Sequence, residues 1–339
     1  MNSWIIPRMN APFCSKGLNI SLSISGGRTY GNNIESFEPT KLTFARLFKA
    51  LGNQGNLIEG MKLHDYAQSI GLVKDALVVS SVVSFYGRFG AILEAEHVFA
   101  MDLKPIDVVS WNAMLSVYVK NGEGEKVLLL YRQMREEGMH PNAVTFVCIL
   151  KVCGNTGNIE KGQQIHEHLL NGCMLEHNIV LGTALVDMYA KCGMLEKAQE
   201  VFEDLPNRNV VTWSALIAGY TRHNLGDEAL KCFRRMQDEG ISPNAVTFIC
   251  ILKACGSTAS LHIGEEIHAE VKKQGLLDRN LMLGTTLVDM YAKCGNVKKA
   301  KEVFDQLSER DVVSWGALIT GYTQHGHGDK ALECFRQMV

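Results

Sequence analysis

Three tryptophans constrain this chain more than any other feature. Trp111, Trp213 and Trp315 stand 102 residues apart, each inside the same phrase, Val-Ser-Trp or Val-Thr-Trp. The segment Pro141–Phe146 (PNAVTF) returns as Pro243–Phe248, and Leu185–Gly193 (LVDMYAKCG) returns as Leu287–Gly295. A long exact period of this kind is the mark of a repeat architecture. Each period divides again into three units of 35, 36 and 31 residues, at 108–142, 143–178 and 179–209.

Inside a unit the apolar spacing is helical. In 210–244, Trp213, Leu216, Ile217 and Tyr220 recur at i, i+3, i+4 and i+7, one face of a helix. Asn224-Leu225-Gly226 breaks the pattern. Ala229, Leu230, Phe233 and Met236 then mark a second helix, whose first turn holds Asp227 and Glu228. Gly240 and Pro243 end it. One such hairpin cannot bury its apolar face alone, but stacked neighbours can, and the stack forms a superhelix with a concave groove. The expected fold is therefore all-α, a solenoid of tandem helix-turn-helix units. Their boundaries are 41–75, 76–107, 108–142, 143–178, 179–209, 210–244, 245–280, 281–311 and a ninth unit, 312–339. That ninth unit stops inside its second helix without a polar cap, so a longer array is expected.

Residues 1–39 read differently. Arg8, Lys16 and Arg28 are basic, serines stand at 15, 21, 23 and 25, and no acid precedes Glu35. Such a composition fits an organellar transit peptide, and equally a plain disordered leader. No stretch is apolar for the roughly 18 residues a membrane helix needs. The ten cysteines include no Cys-x-x-Cys pair and read as reduced thiols of an intracellular protein. The formal charge of −2 gives no global basic footprint, so any nucleic-acid binding has to come from a local groove.

The unit phrases carry a family resemblance. Val211–Tyr220 (VTWSALIAGY) resembles the first helix of the P motif of plant-type pentatricopeptide-repeat (PPR) proteins. Met188–Gly193 (MYAKCG) resembles their S motif, and Leu252–Cys255 (LKAC) with Glu266-Ile267-His268 their L motif. The match spans about residues 40–339, and the alternating lengths are similar to a PLS array. The resemblance implies a right-handed superhelical solenoid that binds single-stranded organellar RNA, one base per repeat. It implies mitochondrion or chloroplast as the location, no small-molecule substrate and no membrane.

In this family the fifth and last residues of each unit read the base. Carried over, the pairs are Ser80 with Asp107, Asn112 with Asn142, Thr183 with Asn209, Ser214 with Asn244, and Thr285 with Asp311. Units of L type offer Ala45, Val147 and Ile249, which cannot hydrogen-bond a base edge, and the ninth unit has Gly316. An ionised Asp is acceptor-only and suits the N–H donors of guanine, whereas an Asn amide both donates and accepts, as adenine's edge requires. The resemblance further implies that a small hydroxyl at the fifth position (Thr183, Ser214) selects purines and that Asn112 selects pyrimidines, so the footprint expected from 76–311 is, 5′ to 3′, G, pyrimidine, any, A, A, any, G. Val109, Val180, Val211 and Val313, at the second position, would sandwich the bases. Each Asn or Asp taken alone also reads as an ordinary helix N-cap, and each valine as core.

No enzyme chemistry is expected within the chain. His268-Ala269-Glu270 matches half of a zinc-deaminase signature, but its Cys-x-x-Cys half is missing, and its counterpart one period earlier is His166-Glu167-His168. Neither metal nor cofactor is assigned. The resemblance to editing factors implies a deaminase or another editing factor as a partner. A helical-repeat scaffold for proteins, and a deaminase whose catalytic domain lies beyond Val339, stay as the competing readings. Basic pairs that could touch phosphate are Lys272-Lys273, Lys298-Lys299 and Arg234-Arg235.

Overall fold

The computed structural model describes residues 40–101, 107–175, 178–277 and 280–338. The expected leader, 1–39, lies outside the described residues. The described chain is helical throughout, apart from its turns and a short 3-10 turn at Leu72–Lys74. Nine first helices open the units: α1 (Lys41–Gln54), α3 (Ala76–Arg88), α5 (Val108–Lys120), α7 (Ala143–Thr156), α9 (Ile179–Lys191), α11 (Val210–Arg222), α13 (Ala245–Thr258), α15 (Leu281–Lys293) and α17 (Val312–Gln324). Nine second helices follow them: α2 (Leu57–Ser69), α4 (Ile92–Met101), α6 (Gly124–Glu136), α8 (Ile159–Asn171), α10 (Leu195–Asp204), α12 (Gly226–Asp238), α14 (Leu261–Lys273), α16 (Val297–Gln306) and α18 (Gly328–Met338).

Every first helix starts on a side-chain cap. Thr40, Asp75, Asp107, Asn142, Asn178, Asn209, Asn244, Asn280 and Asp311 each accept a backbone N–H from the first turn. A cap of this kind is worth about 1 kcal/mol, and here it also fixes where each unit begins. Between the two helices of most units the chain turns through a left-handed residue, as at Gly193 (φ 80°) and Gly295 (φ 83°). Ala259 takes that conformation (φ 53°) where units 41–75 and 143–178 have Gly55 and Gly157.

The helices form two layers. Each first helix packs on the first helices before and after it. Each second helix packs on its own first helix and on the next one. The core accordingly runs through the unit interfaces instead of gathering at one centre. The period tryptophans sit there: Trp111 and Trp213 are fully buried, edge-on to Phe99 and Phe202, with Trp213 at 4.5 Å. A second recurring joint is a His–Tyr hydrogen bond, His64–Tyr86, His166–Tyr189 and His268–Tyr291, at 2.9–3.0 Å. Burial pushes these three phenols up to about 12 and holds the imidazoles below their ordinary value. His268, which opened the H-x-E sequence, is thus part of a joint between units.

Candidate nucleic-acid interface

The helix spacing that buries Trp213 and Leu216 turns positions 2, 5, 9 and 13 of each first helix the other way. At position 2 stand Leu42, Leu77, Val109, Val144, Val180, Val211, Val246, Met282 and Val313, one in each unit. All nine are exposed, between 41% and 64%. An apolar side chain held in water at one register of every unit forms a surface column, and core packing does not explain it. The four valines singled out from the sequence belong to it; Leu42, Leu77, Val144, Val246 and Met282 complete it.

The fifth residues lie beneath this column. Ser80, Asn112, Ser214 and Thr285 are 5–7% exposed and Thr183 is half-buried. The last residue of each unit is the N-cap of the next first helix, and this places the two members of a pair together. Asn112 Nδ2 donates to Asn142 Oδ1 at 3.0 Å. Thr183 and Asn209 are joined through Thr212, and Ser214 and Asn244 through Thr247. Ser80 gives its proton to Leu77 O, and the buried hydroxyl of Thr285 has no partner among the described residues.

Capping changes what each last residue can offer. Asn142, Asn209 and Asn244 already spend Oδ1 on backbone N–H groups. That leaves each with its amide nitrogen, a donor, to offer, whereas the amide alone was expected to both donate and accept. Asp107 and Asp311 cap with Oδ1, at 2.9 and 2.8 Å, which leaves a second carboxylate oxygen to accept.

Charge is divided by layer. The nine first helices hold ten Lys and Arg against two Asp, a formal +8, whereas the nine second helices hold sixteen against twenty-two Asp and Glu, a formal −6. Eight of the ten first-helix cations fall in two columns, at position 9 in units 41–75, 143–178 and 245–280 (Lys49, Lys151, Lys253) and at position 13 in five others (Arg88, Lys120, Lys191, Arg222, Lys293); Lys41 and Arg46 are the remaining two. Lys191 and Lys293 are tied to the two acids, Asp187 and Asp289, at 2.6 and 2.7 Å. The basic pairs read from the sequence, Lys272-Lys273, Lys298-Lys299 and Arg234-Arg235, lie on second helices. Arg235 there is bonded to Glu203. Positions 2, 5, 9 and 13 converge in a groove of about 500 Å³ across α1, α3, α5 and α7, lined by Lys49, Ser80, Arg88, Val109, Asn112 and Val144.

Models of the PPR repeat family match 106–155 and 208–257, and models of the PPR repeat match 183–210, 285–312 and 313–339. The chain belongs to the pentatricopeptide-repeat family. Among curated relatives, the Arabidopsis thaliana "Pentatricopeptide repeat-containing protein At4g18520, chloroplastic" is 35% identical over 93% of this chain and 52% of its own length. "Pentatricopeptide repeat-containing protein At3g09040, mitochondrial", also from Arabidopsis thaliana, is 38% identical over 90% of this chain and 29% of its own length. The chain thus spans about half or less of these relatives. A similar solved structure is the PPR protein PPR10 in complex with an 18-nt psaJ RNA element. It has a TM-score of 0.69 at 19% identity, covering 89% of this chain and 45% of that one. The PPR fold, an α-solenoid of helical repeats, is common to both.

Proposed function

We propose that the first-helix layer binds single-stranded RNA, one base per unit, as the specificity module of an RNA-processing factor in the mitochondrion or chloroplast. The observation that carries this is the segregation of charge, which puts +8 on the same layer as the exposed apolar column and the paired polar residues. Cations hold phosphates, and the second-position side chains pack against base faces. The fifth and last residues meet base edges. Kinship with PPR proteins, including one crystallised with RNA, supports the reading. So do the organelles in the relatives' names. The alternating unit lengths favour a PLS-type array that places a cytidine for C-to-U editing, with the deaminase or another editing factor as partner. The chain itself contributes binding and no catalytic group. The scaffold reading rested on the net charge of −2, a sum in which acids of the second helices and of the segments outside the helices mask the +8 of the first helices.

Filter binding of the full chain tests it. One RNA carries the footprint G, pyrimidine, any, A, A, any, G, and a second carries A for the final G. The wild type should prefer the first by roughly tenfold, about the worth of one well-made hydrogen bond, and Asp311→Asn should reverse the order. Equal binding of both RNAs by wild type and variant would refute base-by-base reading.

A further inference from the structure

The third residue of each first helix follows the fifth residue of the unit before it. After Ala45, Val147 and Ile249 the third residue is apolar: Val78, Leu181 and Leu283. After Asn112, Thr183 and Ser214 it is Thr145, Thr212 and Thr247, and after Ser80 and Thr285 it is Ser110 and Ser314. All eight junctions obey this. The threonines go with units ending in Asn, the serines with units ending in Asp.

The three threonines are wholly buried, so none can touch a ligand. Each instead bridges the pair above it. Thr145 Oγ1 donates to Asn112 Oδ1 at 2.7 Å and accepts from Asn142 N at 3.1 Å. Since Asn142 Oδ1 holds Asn112 Nδ2, both ends of the Asn112 amide are gripped and one N–H of Nδ2 is left over. Thr247 Oγ1 lies 2.7 Å from Ser214 Oγ and 3.1 Å from Asn244 Oδ1, and Thr212 lies 2.8 Å from Thr183 and 3.2 Å from Asn209. A hydroxyl has one proton, and the amide oxygen can only accept. Where the threonine proton runs to Asn Oδ1, the fifth hydroxyl gives its own proton to the threonine. Where the fifth hydroxyl instead gives its proton to Val210 O or Ile179 O, both 2.7 Å away, the threonine donates to the fifth hydroxyl. A ligand then meets a lone pair from the fifth residue and an N–H from the last. The serines do not bridge. Ser110 turns to Ala76 O and Ser314 to Asp311 O, and Thr285 is left without a partner among the described residues.

We infer that Thr145, Thr212 and Thr247 are positioning residues that set the donor–acceptor polarity of the base-reading pair in the preceding unit. This rests on the base-by-base reading proposed above. The test measures, for the full chain, the ratio of Kd values for RNAs that differ only at the base opposite one unit. Thr145→Val should flatten that ratio roughly fivefold, the worth of one net hydrogen bond, with no change at other bases. Thr145→Ser, which keeps the hydroxyl, should restore it. If Asn112→Ala alters the ratio while Thr145→Val does not, the threonine is plain core and the inference falls, though the reading stands. If neither alters it, both fall. Thr247→Val judged against Ser214→Ala repeats the test at a second junction, so one poorly folding variant does not decide the matter.

Discussion

The division of charge between layers predicts how binding responds to salt. Seven first-helix cations, Arg46, Lys49, Arg88, Lys120, Lys151, Arg222 and Lys253, form no salt bridge among the described residues. If each neutralises one phosphate, the slope of log K against log salt is about −5, a loss of roughly 900-fold between about 50 and 200 mM salt. Each contact accounts for about 2.6-fold of that. Lys151→Gln with Lys253→Gln removes two, so the loss should shrink to about 130-fold. Both lysines are exposed, so stability should stay within about 0.5 kcal/mol. Lys272→Gln with Lys273→Gln removes as much charge from the second layer and should leave the slope alone. Conversely, Asp187→Asn releases Lys191 and should steepen the slope by about 0.7. Fluorescence anisotropy across a salt series reads all of these. Equal effects from both lysine pairs, or a wild-type slope near zero, would refute assignment of the RNA to the first-helix layer.

Three further outcomes concern the array itself. Burial lowers the pKa of His64, His166 and His268, so the folded state binds fewer protons than the unfolded one. Their stabilisation is complete above the unfolded value of about 6.5 and is lost as pH falls below it, so the melting temperature should drop between about pH 7.5 and 5.5. Replacing the three by Gln should blunt that drop, and calorimetry at the two pH values reads it. A Cβ on Gly219 would meet Ala190 Cβ at 2.5 Å, whereas one on Gly316 would meet nothing within 4 Å. Gly219→Ala should therefore cost about 1–3 kcal/mol in urea unfolding, while Gly316→Ala should gain up to about 1 kcal/mol. Ala259→Gly should stabilise the chain by roughly 0.5–1 kcal/mol in the same assay, since it relieves a left-handed alanine.

The fold was legible because every unit solves one packing problem in one way. Trp213, Leu216, Leu230 and Phe233 are apolar at helical spacing, and all are buried where that spacing puts them. The charge pattern was hidden, because a sum over the chain erases any division between layers. Counting Lys and Arg by position within the unit would have found the ninth- and thirteenth-residue columns. The second-position column was only partly seen, since Val144, Val246 and Met282 lie in units or residue types not credited with contacting a base. What Asn142, Asn209 and Asn244 can offer was not legible at all. That depends on which amide atom the helix end has already claimed, a matter of geometry and not of residue type.

The cap also explains how such an array can vary its reading without losing its fold. A first helix needs one oxygen to accept N–H groups of its first turn, and Asn and Asp supply it about equally well. What differs is the atom left over, an N–H₂ group in one and a second oxygen in the other. The atom that holds the helix and the atom offered to the ligand are thus separate atoms of one side chain. Exchange of Asn for Asp at 107, 142, 209, 244 or 311 should therefore change preference by an order of magnitude while stability moves by only a few tenths of a kcal/mol. The fifth residue has no such freedom. It is buried between two first helices and tied to the third residue of the next one, so a change at Asn112 or Ser214 alters the packing of a junction as well as its reading. Variation in specificity at little cost to the fold is expected at the caps first, and at the fifth position only together with its partner at the third.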